Sequence, residues 1–274
     1  MSYEPYGGCP AVLPLQKFRS EVWKFWEKKG RHHLPWRKTK NPYRILVSEM
    51  MLQQTQVPRV IEKYREFLKT FPTVRSLAEA PLADVLKAWS GLGYNRRAKY
   101  LREAAKTIVA EHGGRMPRDY AALRTLPGVG DYTARAVRVF ACNESDVLIE
   151  TNTRAAFIHH FFPDRKTVRD DEIMPIAQKA AEGQDPRKWH GALMDYGTHI
   201  KRLHGNPARK SASYTRQSKF EGSLRQVRGA VLRALHSGVR IEKLPFPKVR
   251  IRSALAGLAR DGLIAKRKEK WAIA

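Results

Sequence analysis

The sequence predicts an all-α protein that carries a small C-terminal α+β module. Three observations lead there. Apolar residues recur at helical spacing through most of the first 260 positions, no alternating strand pattern appears among them, and a short hairpin pattern closes the chain at 263–273. At 274 residues the chain has room for one large domain or two smaller ones. We expect a main helical domain over 1–218, ending in a basic segment at about 198–218, and a separate winged-helix-like module over 219–274.

Residues 1–14 read as irregular, with Pro5, Gly7, Gly8, Pro10 and Pro14. Phe18, Val22, Phe25 and Trp26 give a helix over 15–28. His32 and His33 follow in a loop, and suit a surface or phosphate contact better than a metal site because no third ligand is near. Asn41 and Pro42 start the next helix, Asn as the cap and Pro at the first helical position. It carries Ile45, Leu46, Met50 and Leu52, puts Glu49 on their face, and runs into the polar cluster Gln53-Gln54-Thr55-Gln56. Further helices are predicted over 58–69, from Leu82 to Trp89 up to the turn Gly91-Leu92-Gly93, and over 95–111.

A short helix over 119–124 then meets the tight turn Leu126-Pro127-Gly128-Val129-Gly130, and a second helix runs over 131–141. Val147, Leu148 and Ile149 pack inward and deliver Glu150 to the head of a helix over 153–162, with Thr151 or Asn152 as its cap. In the tail, Leu224, Val227, Val231 and Leu235 mark one helix, and Ile251, Leu255 and Leu258 another. Residues 263–265 and 271–273 flank a basic tip.

Charge narrows the function. Lys and Arg number 52 against 26 Asp and Glu, a net charge of +26, which is the footprint of a polyanion binder. No signal peptide and no apolar run of about 20 residues appears, so we expect a cytoplasmic protein, nucleoid-associated in a bacterium, with no membrane partner. Cys9 and Cys142 are too few for a disulfide framework or a four-cysteine zinc or iron–sulfur site. No carboxylate cluster suggests a two-metal nuclease.

The candidate chemistry lies in two carboxylates and one turn. A carboxylate on an apolar face is desolvated, which raises its pKa toward that of a general acid, and Glu49 fits this. Glu150 near a helix N-terminus is favoured as the anion. Such a split gives one acid and one electrostatic stabiliser. The glycine turn at 126–130 lets backbone N–H groups at the following helix start approach a phosphate. The alternatives are a helix cap for Glu150 and an ordinary αα-hairpin for the turn.

Together the motifs LPWR at 34–37, SEMMLQQTQV at 48–57, GLGY at 91–94, LPGVG-x-Y-TA at 126–134, IETN at 149–152 and ALMDYG at 192–197 resemble the helix-hairpin-helix (HhH-GPD) base-excision DNA glycosylases, most of all their MutY-type adenine branch. The resemblance covers about residues 15–205 and implies a two-lobed helical fold. It implies Glu49 as the acid that protonates the flipped adenine, Glu150 as the carboxylate that stabilises the oxocarbenium ion, and Asn152 as an active-site amide. By the same resemblance Gln54 wedges into the base stack and Tyr94 intercalates beside the opposing base. Gln53, Thr55, Arg37, Arg96, Leu126, Gly128, Val129, Gly130 and Thr133 complete the expected DNA contacts. Tyr132 occupies the position where bifunctional members carry a nucleophilic Lys, so a monofunctional enzyme without AP-lyase activity is implied, with Tyr132 positioning the base.

Three departures stand out. Glu150 is one methylene longer than the family Asp. The four cluster cysteines after the ALMD motif are absent, so no iron–sulfur cofactor is expected, and the basic segment 201–219 takes that place as a DNA-contacting loop. No long domain for 8-oxoguanine fits in the remaining residues, and the tail module is expected to touch DNA instead. The expected partner is duplex DNA with a mismatch or lesion, bound by a monomer. The leading reading is removal of adenine opposite guanine or 8-oxoguanine. Removal of thymine or uracil opposite guanine is the second, and a non-catalytic mismatch or structured-DNA binder the third.

Overall fold

The computed structural model describes residues 13–268 and 270–274, so nearly all of the irregular opening, Cys9 included, lies outside the described residues. In chain order the helices are α1 (Leu15–Lys29), α2 (Pro42–Leu52), α3 (Val57–Thr70), α4 (Val74–Glu79), α5 (Leu82–Ala88), α6 (Arg96–His112), α7 (Tyr120–Thr125), α8 (Asp131–Val137), α9 (Thr151–Phe161), α10 (Asp170–Ala181), α11 (Pro186–Leu203), α12 (Leu224–Ser237) and α13 (Lys248–Arg260). Strands β1 (Ile264–Arg267) and β2 (Lys270–Ile273) pair antiparallel, with Ile264 opposite Ile273. The all-α body with an α+β tail is therefore what forms. Among the described residues no helix is long and apolar enough to cross a membrane.

Most starts and stops follow local chemistry. Asn41 Oδ1 accepts from the Arg44 N–H at 3.1 Å, with Pro42 at the first helical position. Asp119 caps α7 and Ser223 caps α12. Three helices were not expected from the sequence. In α10, Pro175 sits inside the helix and breaks the reading frame of a helical pattern. In α11 the buried residues Trp189, Leu193, Tyr196 and Ile200 lie on one face, while α4 is only a turn and a half held by a Thr73–Ser76 capping box. The helix expected over 131–141 is regular only to Val137 and continues as a π-helical turn over Arg138–Cys142.

The chain divides into two compact units. One comprises residues 1–33 and 143–216, the other 34–142 and 217–274. The first has an aromatic core in which Phe18 meets Phe157 and Phe161, each at 5.2 Å between ring centres, and Trp189 at 6.3 Å. In the second, Phe67, Leu77, Trp89, Leu101 and Ile108 form one continuous core with Val227, Val231, Leu258 and Leu263 of the tail. The basic segment after α11 is tied down within the first unit. The Val168 N–H donates to Lys210 O at 2.8 Å, the Ala212 N–H to Val168 O at 2.9 Å, and Ala208 is buried.

The first unit also holds a buried histidine, His190, and a half-buried one, His160. His190 is 1% exposed and pairs through Nε2 with the Asp146 carbonyl at 3.0 Å, and burial pushes its pKa down to about 4. His160, paired with Tyr196 Oη at 2.7 Å, is likewise lowered to about 4, mainly by burial. Folding therefore keeps both neutral where an unfolded histidine, with its ordinary value of 6.5, takes a proton. Their contribution is complete above about pH 6.5 and is lost progressively toward pH 4, at up to about 1.4 kcal/mol per pH unit for the buried His190 and less for the more exposed His160, whose charge water partly screens. Thermal unfolding should shift to lower temperature between pH 7.5 and pH 5. An unchanged midpoint would contradict this.

Candidate active site

In the second unit α2 is enclosed on almost every side. Tyr43 and the run Ile45, Leu46, Val47, Ser48, Glu49, Met50 and Met51 are all buried, because α2 packs against α3, α6 and α8. Glu49 is 7% exposed, so the carboxylate expected on the apolar face is indeed withdrawn from water. The end of α2 is fixed by a residue the sequence reading passed over. The Arg97 guanidinium donates from Nη1 to the carbonyls of Met50 (2.7 Å), Met51 (3.0 Å) and Gln53 (2.5 Å). From Nη2 it donates to Thr55 Oγ1 (3.0 Å) and to the carbonyls of Leu92 (3.2 Å) and Gly93 (3.1 Å). Arg97 is only 7% exposed, and burial lowers its pKa to about 10, which still leaves it charged at neutral pH. Arg97 falls on one inward stripe of α6 with Leu101, Ala104 and Ile108.

Arg97 thus joins the polar cluster after α2 to the GLGY turn. Within that joint, Gln54 and Tyr94 both have left-handed backbones, at φ 55° and 46°. These are the two residues expected to enter the base stack, and residues held in such conformations concentrate at functional sites. Gln54 is exposed and Tyr94 half-buried. Tyr94 Oη accepts from Gln217 Nε2 at 2.7 Å, and its ring lies under the Arg97 guanidinium, 5.6 Å from the centroid. Thr55 is half-buried, and Gln53 Nε2 reaches Thr133 Oγ1 at 3.4 Å, linking α2 to α8. Arg96 is exposed, while Arg37 is half-buried beside the buried Trp36.

The turn between α7 and α8 has Leu126 and Val129 buried beneath it. Gly128 adopts φ +76°, and a Cβ there would come within 2.7 Å of Tyr100 Cβ and 3.0 Å of Met50 Cε. Only glycine lets this turn lie against α2 and α6. Gly130 is the residue before α8, and its neighbour Asp131 accepts from Tyr120 Oη and Arg135 Nε. The hydrogen bond from Tyr120 is the main reason that the Asp131 pKa is lowered. The helix start expected to face a phosphate thus also carries a carboxylate, held between a phenol and a guanidinium. Tyr132 is half-buried and Thr133 buried in the same first turn.

In the first unit the head of α9 departs from expectation. The cap is Glu150 itself, not Thr151 or Asn152. Glu150 Oε1 accepts from the N–H groups of Asn152 (2.8 Å) and Thr153 (2.9 Å), and Oε2 accepts from Asn152 Nδ2 at 3.0 Å. The longer side chain folds back onto the helix end, which absorbs its extra methylene. Asn152 Oδ1 in turn accepts from Lys201 Nζ at 3.1 Å. Gly197 of α11 makes this arrangement possible, since a Cβ there would stand 1.9 Å from the Asn152 carbonyl oxygen. Two residues before it, the buried Asp195 accepts from the Arg31 N–H at 2.7 Å and Arg31 Nε at 2.6 Å. Both residues lie in the ALMDYG motif, whose physical reason the sequence alone did not give. Gly197→Ala should displace the α9 head and lower the unfolding free energy by about 2 kcal/mol or more. A variant as stable as the parent in denaturant titration would contradict that contact.

The profile of the HhH-GPD superfamily of base excision DNA repair proteins matches residues 47–219. The chain belongs to this superfamily. Its relatives place it in the adenine DNA glycosylase branch. That of Mycolicibacterium smegmatis is 37% identical over 230 residues, covering 77% of this chain and 78% of the relative. The Mycobacterium tuberculosis H37Rv enzyme is 46% identical over 130 residues, covering 47% and 43%, and that of Buchnera aphidicola subsp. Baizongia pistaciae 37% identical over 175 residues, covering 62% and 49%. The chain therefore spans about half the length of several curated relatives. Among solved structures, a thermostable thymine-DNA glycosylase aligns with a TM-score of 0.61 at 26% identity, covering 72% of this chain and 91% of that one.

The segment after α11 offers none of the cysteines that an iron–sulfur cluster is held by. Residues 198–220 contain no cysteine, and the segment is held instead by the backbone pairing of Val168 with Lys210 and Ala212 and by the buried Ala208.

Proposed function

We propose that this protein is a monofunctional DNA glycosylase of base excision repair that flips a mispaired adenine out of duplex DNA and hydrolyses its N-glycosidic bond. The observation that carries the reading is Glu49. It is withdrawn from water on α2, within the SEMMLQQTQV stretch, and in a branch whose named relatives are adenine DNA glycosylases. The glycosidic bond of a stacked base is out of reach, so the target must be extruded. Glu49 then gives its proton to the adenine, which leaves as a neutral base. Glu150 offers a carboxylate to the positive charge that develops on the sugar, steadied by the Asn152 amide and the two α9 N–H groups. Water completes the hydrolysis and an abasic site remains. Tyr132 has no amine with which to open that site.

The DNA partner follows from the net charge of +26 and from the superfamily. Gln54 and Tyr94 enter the stack, Arg37, Gln53, Thr55 and Arg96 contact the strands, and the 126–130 turn with Thr133 grips a phosphate. One chain engages one lesion, without iron–sulfur cofactor. A second reading, excision of thymine or uracil opposite guanine, is favoured by the fold's likeness to the thymine-DNA glycosylase.

Duplexes carrying A, T or U opposite guanine separate the readings, with strand breaks scored before and after alkali. Adenine release with breaks only after alkali is expected. Breaks without alkali would sink the monofunctional assignment, and release of thymine or uracil alone would move the protein to the second reading. Glu150→Asp, which restores the family's residue in a good helix-capping role, should keep at least the parent's rate, whereas a loss of tenfold or more would show that the longer side chain is required.

A further inference from the structure

Within the first unit, the head of α9 is gripped from one face of α11. Gly197 lies against the Asn152 carbonyl, and Lys201, four positions on, falls on the same face one turn further along. Lys201 is half-buried and donates from Nζ to Asn152 Oδ1 at 3.1 Å. Asn152 Nδ2 donates to Glu150 Oε2 at 3.0 Å, while Glu150 Oε1 takes the backbone N–H groups of Asn152 and Thr153. Ammonium, amide and carboxylate thus form a chain that ends at the carboxylate oxygen opposite the one held by the helix backbone. The neighbouring cation of α9 is engaged elsewhere, since Arg154 donates to Asp170 at 2.7 and 2.6 Å.

An ammonium has donors and no acceptor, and an ionised carboxylate has acceptors and no donor. An amide between them satisfies both in one orientation, with its oxygen toward the lysine and its N–H groups toward the glutamate. The cation also polarises the amide, which strengthens its N–H as a donor. Lys201 reaches the amide and not the carboxylate, so the Glu150 charge stays available to the sugar. We propose that Lys201 is a positioning residue for base release: it fixes the Asn152 amide, and through it sets the Glu150 carboxylate where positive charge develops. Misplacing a reacting group by about 1 Å costs as much as about 10²-fold in rate, so a hold at one remove has leverage. Lys201 on this account serves the reaction rather than the strands, given the reading of the chain as a DNA glycosylase, on which this inference rests.

The test is Lys201→Met, which keeps the apolar stem and removes the ammonium. Single-turnover base release should slow about tenfold. The dissociation constant for a duplex with a non-cleavable abasic analogue, and its salt dependence, should remain the parent's. A phosphate contact would do the opposite, weakening binding and lowering the salt slope by about 1. Lys201→Arg keeps the charge and a donor and should recover most of the rate. With Asn152→Ala already in place, Lys201→Met should cost little more, because the two act as one unit. A readout without turnover is the side-chain amide signal of Asn152 in the ¹⁵N spectrum, assigned by its loss in Asn152→Asp, which should move in Lys201→Met. An unmoved signal, an unchanged rate, additive effects of the two substitutions, or affinity falling with the rate would each overturn the proposal. A moved signal in a protein that releases no base from any duplex would support the contact and refute the glycosylase reading. Base release at the parent's rate from Lys201→Met would do the reverse.

Discussion

Glu49→Gln is expected to slow single-turnover base release by about 10²–10⁴-fold, the usual contribution of a positioned general acid. The substitution keeps the side chain's size inside the buried wall of α2 and removes only the transferable proton. Affinity for a duplex with an abasic analogue should stay close to the parent's, because the proposed role has Glu49 act on the leaving base and not on the strands. The sharper check is that split. Rate and affinity falling together would mean that Glu49 shapes the DNA-binding surface, and an unchanged rate would remove it from the chemistry.

The second large effect concerns Arg97. Arg97→Met replaces a guanidinium that serves six backbone carbonyls, that of Tyr94 among them, and the Thr55 hydroxyl with an apolar chain of similar length. The carbonyls at the end of α2 and in the GLGY turn then lose their donor in a buried setting, at a cost of about 3 kcal/mol or more. Arg97→Lys should not rescue it, because an ammonium cannot span both groups of acceptors as a planar fork does. Denaturant titration reads the effect directly, and a loss below about 1 kcal/mol would show that the two segments hold their shape without it. Base release should suffer more than stability implies, since Gln54 and Tyr94 flank the residues that Arg97 holds.

How far the sequence revealed this can be judged at particular residues. Asn41-Pro42, the glycine turn at 126–130 and the tail hairpin announce themselves because each depends on local backbone chemistry, and all three form where expected. The burial of Glu49 was legible because its apolar neighbours are at helical spacing. Arg97 was not, because a charge on an inward stripe reads as a surface residue until its carbonyl partners, some 45 positions earlier, come into view. Gly197 carries no local signal either, since its requirement comes from the Asn152 carbonyl on another helix. The cap of α9 was misplaced by two positions or fewer for a simple reason: Asn and Thr are better caps than Glu in isolation, and only the fold shows Glu150 bent back onto the N–H groups.

The measurement closest to the central claim is the identity of the base released by the parent protein from a duplex with adenine opposite guanine or 8-oxoguanine, read by mass spectrometry under single-turnover conditions. Free adenine, with the strand intact until alkali is added, is the predicted result. Tight binding with no base released, or thymine or uracil released from their guanine mispairs while adenine stays in place, would contradict it.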